Sequence, residues 1–464
     1  MLEANIRKNI VNRKEIELIA KGIQDNNPGM AYQSAMEYAE KNVINKKKNQ
    51  TILFIMPINY SYSLLDQIIE DSNVNLKTHK EFAEANKNLK TLNEKKKGND
   101  FGKSLNLFYS HPLGILYLAG VARTCGFNVE ILDLHKNFCE MIWNKNIKHE
   151  SIQNFLYDNI KEKILRHNPV LVSISCLFSM ASEVAHDVAA FVKKIDTNSK
   201  VLMGGGYPTN STKETLWDQN VDIVIVGEGE HAFKEIICSL DEYSPENYFH
   251  NPAIATRKSL DKKIKPVGDK IQDLDNLPYP AWDLFDKPMS YITGSNRTRS
   301  YDLKEKRCVS LYTSRGCPFY CTFCASHTIH GRKLRLHSLE HIFAEIDKLV
   351  RVYDINLLLI EDDIFNFNRN RTIEFCKGLI DRWGNRFEIE FPNGIYIPTL
   401  NDEVVQWLSR AGVKDVHIAV ESGHQYTLTN IVKKGGLTLE KIKEAVNVLN
   451  KYDIIIRNFF IIGF

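Results

Sequence analysis

The sequence predicts an α/β protein in which a doubly wound parallel sheet of the Rossmann-like type is followed by a barrel-like series of strands and helices. Three observations support this prediction. Five short apolar segments between residues 51 and 226 alternate with segments of helical periodicity, and a second alternation runs from residue 308 to residue 461. Several of the apolar segments are followed by loops rich in glycine or carboxylates, as expected where ligands bind beyond the carboxyl ends of parallel strands.

The first alternation begins at Thr51–Met56, an apolar segment that stops at Pro57 and is typical of a buried strand. The next helix is predicted from Leu113 to Cys125, because Gly126 is a suitable C-terminal stop. Since helices separate the strands, the strands are expected to run parallel. The other strands are predicted at 128–134, 170–175, 200–203 and 221–226, and the other helices at 151–166, 182–195 and after 230.

The second alternation has the pattern of a partial barrel of the (βα) type. Its five strands are predicted at 308–313, 356–360, 386–391, 415–420 and 454–461, and its helices at 338–352, 370–383, 402–411 and 438–451. The sequence stops at Phe464, directly after the fifth strand, without a helix to cover that strand. We therefore expect a chain that is truncated or completed by a separately encoded part.

These patterns predict four regions of the chain. They are an N-terminal helical extension at 1–49, a first α/β domain at 50–241 with a polar insertion at 60–107, a linker at 242–304, and a second α/β domain at 305–464.

Composition narrows the function classes. The formal net charge of +3 argues against a protein whose main partner is a nucleic acid backbone. The longest apolar run, 169–181, is interrupted by serines, so no membrane span is predicted. Nine cysteines in a chain without a secretory signal make a poor disulfide framework and indicate metal-binding or buried thiols in a reducing cytoplasm.

The strongest chemical signal is a loop with three cysteines, Cys317, Cys321 and Cys324, directly after a predicted strand. Thiolates are soft ligands that suit iron–sulfur clusters or zinc. A 4Fe–4S cluster held by three cysteines keeps one iron open for a small molecule. Two alternatives remain: three unrelated buried cysteines, or a structural zinc site whose fourth ligand is one of His327, His330 and Cys308.

This CxxxCxxC loop, with Arg315-Gly316 before it, resembles the radical S-adenosylmethionine (radical SAM) superfamily. The resemblance implies a partial (βα)6 TIM-like barrel in which Cys317, Cys321 and Cys324 ligate a 4Fe–4S cluster. In that superfamily the open iron chelates the methionine moiety, and electron transfer cleaves the cofactor to a 5′-deoxyadenosyl radical. Phe323, the aromatic residue between the last two cysteines, would approach the adenine.

Other barrel residues extend the resemblance to an S-adenosylmethionine site. Glu361, Asp362 and Asp363 follow a predicted strand and could bind the ammonium group, although acidic residues are also common at solvated helix starts. Glu421 and Ser422 resemble the superfamily's ribose or carboxylate contact. Residues 459–463, with Ile462, resemble its adenine-contacting strand. The superfamily's sixth strand is absent, which agrees with the expected truncation.

The loops of the first domain resemble those of cobalamin-binding domains, in particular those fused to radical SAM barrels. The segment 111–114, which opens the first helix, is similar to the Pro-Pro-Leu-Gly start of that group. Small residues would let a bulky corrinoid approach the backbone closely. The resemblance implies cobalamin contacts at Ser175, Leu177, Gly204, Gly205, Gly206, Gly227, Glu228 and Gly229.

One departure concerns the cobalt. Many cobalamin domains carry Asp-x-His-x-x-Gly after the first strand, whereas residues 57–62 here contain no histidine. The resemblance therefore implies cobalamin without a protein histidine as its lower ligand. His111 could in principle reach the corrin, but a histidine at a helix start is more often a polar cap.

Three functions remain open at this point. The first is a cobalamin-dependent radical SAM enzyme that transfers a methyl group from methylcobalamin to an unactivated carbon or phosphorus centre after hydrogen abstraction. The second uses the same cofactors for cyclisation or rearrangement, and the third is a non-catalytic zinc or iron–sulfur binding module. The enzyme readings imply an anaerobic niche, an unidentified small-molecule or peptide substrate, and an external electron donor of the flavodoxin or ferredoxin type.

Overall fold

The computed structural model describes residues 20, 21, 33, 34, 36, 47, 49–65, 68, 109–143, 151–242, 244–285, 287–294 and 306–464. They divide into two compact units, which are described separately. The sheet unit contains the described residues within Met1–Ser72, Gly114–Ile271 and Leu277–Asp286, and the barrel unit contains those within Asn73–Leu113, Gln272–Asn276 and Lys287–Phe464.

The sheet unit is built on a six-stranded sheet with the order β2-β1-β3-β4-β5-β6. The first five strands are parallel, and β6 pairs antiparallel with β5. All six residues of the central strand β1 are buried, as expected for a strand covered on both faces. The elements are β1 Thr51–Met56, α1 Leu113–Thr124, β2 Asn128–Asp133, α2 Leu134–Trp143, α3 Ile152–His167, β3 Leu171–Ser175, α4 Ser182–Ile195, β4 Lys200–Gly204, α5 Gly206–Asn210, α6 Thr212–Trp217, β5 Ile223–Ile225, α7 Glu230–Cys238, β6 Ile254–Ala255 and α8 Arg257–Asp261.

The barrel unit contains a three-stranded parallel sheet, β11-β10-β7, and a parallel pair, β12-β13. Single parallel bridges, Ile389 to Val413 and Ile395 to Ile418, continue the order from β11 towards β12. The elements are α9 Pro288–Gly294, β7 Cys308–Leu311, β8 Ser314–Arg315, α10 Ser326–His330, β9 Arg335–Leu336, α11 Leu339–Tyr353, β10 Leu357–Ile360, α12 Arg369–Trp383, β11 Glu388–Glu390, α13 Asp402–Arg410, β12 Asp415–Glu421, α14 Leu439–Lys451 and β13 Ile455–Phe460.

Side-chain caps fix where the four long barrel helices begin. In each case a polar residue precedes the helix, and its side chain accepts a hydrogen bond from the backbone N–H three residues later. Such caps satisfy one of the free N–H groups of the first turn and stabilise a helix by about 1 kcal/mol. The capping residues are Ser338, Asn368, Asn401 and Thr438.

The structure confirms the α/β fold class and differs from the sequence prediction in its shorter elements. The predicted linker 242–304 supplies a sixth strand, β6, because Ile254 and Ala255 pair with the edge of the sheet. Two short helices, α5 and α6, follow the glycines after β4, and a six-residue π-helix spans Thr427–Val432. The predicted extension 1–49 and insertion 60–107 lie largely outside the described residues.

Among the residues that the structure describes, no helix combines the length and the apolar character needed to cross a bilayer.

Candidate cofactor sites

The cysteine loop follows β7 and β8 and is held by contacts with two other segments of the barrel unit. Gly316 has a φ of +93°, and a Cβ there would collide with the carbonyl oxygen of Lys333, so only glycine fits. The N–H of Cys317 donates to the carbonyl of Gly331 at 3.3 Å. At the other end, the N–H of Thr322 donates to the carbonyl of Val432 at 3.1 Å.

The three cysteines are half-buried and close enough to affect one another electrostatically. Burial raises the pKa of Cys317 and raises that of Cys321 to about 11, and the neighbouring thiols act in the same direction. The ammonium group of Lys434 lowers both pKa values. Three thiols on one short loop are the soft donor set of an iron–sulfur cluster, and bound iron would stabilise the thiolate forms that burial disfavours.

Asp362 anchors the strand end that precedes the cysteine loop. Its carboxylate accepts hydrogen bonds from the N–H and hydroxyl of Thr313, at 2.7 and 2.5 Å, and from the hydroxyl of Ser314, at 2.7 Å. Burial raises the pKa of Asp362 to about 6, although these hydrogen bonds oppose the rise. With both oxygens engaged, Asp362 fits a positioning role better than the predicted contact with an ammonium group.

Glu361 takes part in a buried chain of hydrogen bonds that begins at His111. Nε2 of His111 donates to the carbonyl of Tyr291 at 3.1 Å, which leaves Nδ1 to accept from the N–H of Ser310 at 3.2 Å. The hydroxyl of Ser310 donates to Oε1 of Glu361 at 3.0 Å. His111 is therefore a buried residue of the barrel unit with both ring nitrogens engaged there, which differs from the polar helix cap expected from the sequence.

Asp363 is the acidic residue of this loop that keeps an available oxygen. Its Oδ2 is buried without a hydrogen-bond partner among the described residues. Asp363 also raises the pKa of Cys317, which places its negative charge near the first cysteine. A buried carboxylate oxygen without a donor is costly unless a ligand satisfies it, so Asp363 is the best-placed acceptor for an ammonium group.

Glu421 ends β12 in a left-handed conformation, with a φ of +64°, and forms an ion pair with Lys434 at 2.8 Å. Lys434 also donates to the carbonyl of Ala419 at 3.2 Å. The hydroxyl of Ser422 accepts a hydrogen bond from the N–H of His424 at 3.2 Å. The structure thus brings Glu421 and the cysteines to a common cation, Lys434, which sequence reasoning missed.

The two predicted adenine contacts differ in their surroundings. Phe323 is 44 % exposed, and its ring centroid lies 6.1 Å from that of Phe464. Ile462 is 97 % exposed. Phe323 therefore presents an open aromatic face beside the cysteines, and both assignments stay predictions.

In the sheet unit, the predicted cobalamin residues lie at the carboxyl ends of β3, β4 and β5. The loop after Ser175 carries Leu177, Phe178 and Met180, which are each about half exposed. Large apolar side chains that are exposed to solvent at the carboxyl edge of a parallel sheet are unusual unless a ligand covers them. These three side chains are therefore candidates for contact with a bound ligand.

The glycines after β4 have two different roles. Gly205 has a φ of +107°, and a Cβ there would lie 2.5 Å from the carbonyl oxygen of Cys176, so it allows the β3 and β4 loops to touch. A Cβ at Gly204 would meet no atom within 4 Å. Gly204 therefore leaves open space at the strand end, as close approach of a bulky ligand requires.

The loop after β5 is occupied by contacts within the sheet unit. The N–H of Gly227 donates to the hydroxyl of Thr209 at 3.0 Å, and a Cβ at Gly227 would lie 2.7 Å from Gly268. Glu228 is buried and accepts a hydrogen bond from the N–H of Ile271 at 2.7 Å. Gly229 directly precedes α7. These contacts indicate a structural role for Glu228, and its predicted contact with cobalamin stays untested.

The loop after β1 contains no histidine, but a histidine from the start of α2 lies against it. His135 is buried at the start of α2, and its Nδ1 accepts a hydrogen bond from the N–H of Asn59 at 3.4 Å. The ring of Tyr60 packs edge-on against it, with centroids 5.2 Å apart. Sequence reasoning missed His135 because it considered only the loop after the first strand.

A second polar cluster of the barrel unit joins the end of β9 to the start of α11. Asp275 accepts from Ser338 N–H at 3.1 Å and lies 3.0 Å from Nδ1 of His337, while the ring of His341 stacks on that of His337. Burial lowers the pKa of His337 to about 4. Possible ligand atoms of Asp275, His337 and His341 lie within 4.8 Å of one another, although the contacts are also those of a helix N-terminal anchor.

Comparisons with known families identify the two units. A family profile described as "B12 binding domain" matches residues 107–237, and one described as "Radical SAM superfamily" matches residues 311–464. The chain carries a B12-binding domain followed by a radical SAM domain. The recognition made from the cysteine loop and the glycine loops is thus confirmed, and so are the predicted cofactors of this radical SAM protein: the cluster, S-adenosylmethionine and cobalamin.

Named relatives of this radical SAM protein include methyltransferases and a cyclase. Cytidylyl-2-hydroxyethylphosphonate methyltransferase of Streptomyces wedmorensis is 26 % identical over 380 residues, which cover 76 % of this chain and 69 % of that protein. Anaerobic magnesium-protoporphyrin IX monomethyl ester cyclase of Rubrivivax gelatinosus is 26 % identical over 367 residues, which cover 76 % of this chain and 59 % of that protein.

Two solved structures share the fold. The radical S-adenosylmethionine methyltransferase TsrM of Kitasatospora setae, with cobalamin and a [4Fe-4S] cluster bound, matches with a TM-score of 0.59 and 14 % identity over 89 % of this chain and 69 % of that one. The cobalamin-dependent S-adenosylmethionine radical enzyme OxsB matches with a TM-score of 0.61 and 16 % identity, over 98 % of this chain and 55 % of that one. These likenesses confirm the order of a Rossmann-like sheet followed by a radical SAM barrel.

Proposed function

We propose that this chain is a cobalamin-dependent radical SAM enzyme that transfers a methyl group to an unactivated centre. The observation that carries the proposal is the presence in one chain of a B12-binding domain at 107–237 and a three-cysteine radical SAM loop within 311–464. Relatives of the same two-domain type include named methyltransferases. When bound, the cluster supplies the electron that cleaves S-adenosylmethionine, and cobalamin supplies the methyl group.

The barrel residues bind and orient the cofactor in this proposal. Cys317, Cys321 and Cys324 ligate the cluster, and Asp363 accepts a hydrogen bond from the ammonium group of S-adenosylmethionine through its available oxygen. Asp362 is a positioning residue, because it holds the strand end from which the cysteine loop starts. Holding the reacting groups at a fixed separation is the main contribution that a protein makes to cofactor chemistry.

The sheet residues hold cobalamin. Gly204 and Gly205 allow the corrinoid to approach the backbone, while Leu177, Phe178 and Met180 cover its apolar surface. The loop after β1 contains Asn59, Tyr60 and Tyr62 but no histidine, so this loop supplies no imidazole ligand to cobalt. We expect bound cobalamin to show the absorption spectrum of a form without a histidine lower ligand.

An anaerobic assay tests the proposal. The protein is reconstituted with iron, sulfide and cobalamin, mixed with S-adenosylmethionine and dithionite, and the products are measured by mass spectrometry. We expect 5′-deoxyadenosine from the wild type and none from a variant in which Cys317, Cys321 and Cys324 are alanine. Cys376→Ala, which removes a buried thiol from α12, is the matched control and should keep both cluster and activity. A cluster-containing wild type that yields no 5′-deoxyadenosine would refute the radical assignment.

A second candidate is cyclisation or rearrangement with the same cofactors, which the cyclase relative favours. The same assay separates the two, because methyl transfer consumes a second S-adenosylmethionine and releases S-adenosylhomocysteine. We expect both products. Formation of 5′-deoxyadenosine alone with the native substrate would favour cyclisation.

The chemistry also needs an external one-electron donor, for which we propose an acidic protein of the flavodoxin or ferredoxin type. Such donors are found in the cytoplasm, where the thiols of a chain with nine cysteines are also best kept reduced.

A further inference from the structure

We propose that the surface around the cysteine loop is the docking site for this acidic electron carrier, with Arg332, Lys333 and Lys433 as its charged contacts. This inference rests on the proposed function, since it names the partner that reduces the cluster. It adds the surface, the residues and the kind of interface.

The two segments that hold the loop contain no acidic residue. Residues 316–339 and 422–439 hold no aspartate or glutamate, although acidic residues make up 57 of the 464 residues in the chain. The same two segments hold five cations: Arg332, Lys333, Arg335, Lys433 and Lys434. Charge of one sign is therefore concentrated beside the cluster ligands in a chain whose overall charge is only +3.

Three of these cations have no carboxylate partner in the described part of the chain. The guanidinium of Arg332 lies 3.9 Å from the ring centroid of Tyr320 and donates to the carbonyl of Phe319. The ammonium of Lys333 donates to the neutral amide oxygen of Gln272 at 3.2 Å, and Lys433 is exposed. Their charges are thus available to a partner, unlike that of Lys434, which is paired with Glu421.

The cations are tied directly to the loop that holds the cluster. The carbonyl of Lys333 is in contact with Gly316, immediately before Cys317. Lys433 follows Val432, whose carbonyl accepts the N–H of Thr322 between Cys321 and Cys324. A carrier held by these two lysines would therefore meet the protein where the cysteine loop reaches the surface.

Exposed apolar side chains lie among these cations. Tyr320, which packs against the guanidinium of Arg332, is 66 % exposed, and Ile431, two residues before Lys433, is also exposed. Apolar and aromatic contacts bordered by charges of one sign are typical of small, transient interfaces such as those of electron-transfer proteins. Opposite charge on the partner would accelerate association, and salt would screen that attraction.

The reaction at this surface is a single electron transfer. The reduced carrier loses one electron, the oxidised cluster gains that electron, and no bond or proton is exchanged. Because only the carrier needs the docking surface, a small reductant such as dithionite provides an internal reference.

The experiment compares two electron sources on the reconstituted full chain. The rate of 5′-deoxyadenosine formation is measured with reduced flavodoxin or with dithionite, and cluster reduction by flavodoxin is followed separately by stopped-flow absorbance without S-adenosylmethionine. The test variant is the double reversal Lys333→Glu/Lys433→Glu. The matched control is Lys443→Glu, an exposed lysine on helix α14 of the same unit.

We expect the double variant to slow flavodoxin-driven reduction about tenfold or more at low salt, because charge reversal at an interface rim acts mainly on the association rate. The dithionite-driven rate and the control variant should be unchanged, and added salt should narrow the difference. Equal losses with both reductants, or no loss with either, would overturn the proposal. Absence of 5′-deoxyadenosine from the dithionite-driven wild type would instead refute the proposed function, whereas the stopped-flow measurement would still report on docking.

Discussion

A buried glutamate in the barrel unit gives the most quantitative prediction. Glu345 lies on the inner face of α11 with Ile342, Phe343, Ile346 and Leu349, and its Oε1 has no hydrogen-bond partner among the described residues. Burial raises its pKa from 4.5 to about 8, and the charge of exposed Lys348 acts in the opposite direction. We predict that Glu345→Gln, which keeps the shape and removes the titration, changes how the stability of the barrel unit depends on pH.

The sign and size of the effect follow from proton linkage. The folded state holds the proton of Glu345 more tightly than the unfolded state, so this residue costs nothing below about pH 4.5, and its cost grows as pH rises to about 8. At 1.36 kcal/mol per pKa unit, the cost is about 3 kcal/mol at pH 7 and about 5 kcal/mol above pH 8. For a unit of this size, 3 kcal/mol corresponds to a change of roughly 6–12 °C in Tm.

Thermal unfolding of the full chain between pH 5 and pH 8.5 measures this effect. We expect Glu345→Gln to have nearly the wild-type Tm at pH 5 and a higher Tm at pH 7 and above. Glu444→Gln, an exposed glutamate on α14, is the matched control and should follow the wild type at every pH. If the curves of wild type and Glu345→Gln run parallel over this range, the carboxyl group is not held neutral by burial and the reasoning is wrong.

Three further predictions concern the cofactor sites. Gly205→Ala should lower the Tm of the sheet unit, because the added Cβ would lie too close to the backbone of Cys176 and the φ of this residue is positive. Gly204→Ala should keep the wild-type Tm and weaken only the binding of cobalamin, which is measured by absorbance. Asp362→Ala should destabilise the barrel unit by about 3 kcal/mol in urea unfolding, since it leaves three buried donors without an acceptor, and should lower the iron content after reconstitution. Lys434→Met should lower the free energy of unfolding by about 3 kcal/mol, because it leaves Glu421 buried without a cation. The double variant Lys434→Met/Glu421→Gln should recover most of that loss. Equal losses in the single and double variants would contradict the pairing.

The long elements were predictable because each has a strong local signal. The helix predicted at 182–195 is found at Ser182–Ile195, and the five barrel strands fall within two residues or so of their predicted positions. Apolar periodicity and caps decide such elements without reference to the rest of the chain. The strand β6 could not be foreseen, because two residues carry no periodicity and their pairing depends on the free edge of β5.

The cysteine loop was predictable from the sequence, but the contacts around it were not. A three-cysteine spacing is a local pattern, whereas the acceptor roles of three consecutive acidic residues depend on what surrounds each one. The sequence offered Glu361, Asp362 and Asp363 as equivalent candidates. The structure distinguishes them, because Asp362 is saturated by three donors while Asp363 keeps a buried oxygen without a partner.

The position of His111 affects how the barrel unit could be transferred from one protein to another. His111 and Tyr109 contact Ser310 and Ser290 in the barrel unit, although some 180 to 200 residues separate them along the chain. A gene fragment that starts at residue 305, where the predicted second domain begins, would encode a barrel that lacks the hydrogen-bond partner of Ser310, His111. We therefore expect a barrel that is transferred without residues 109–111 to be less stable than one that carries this short segment.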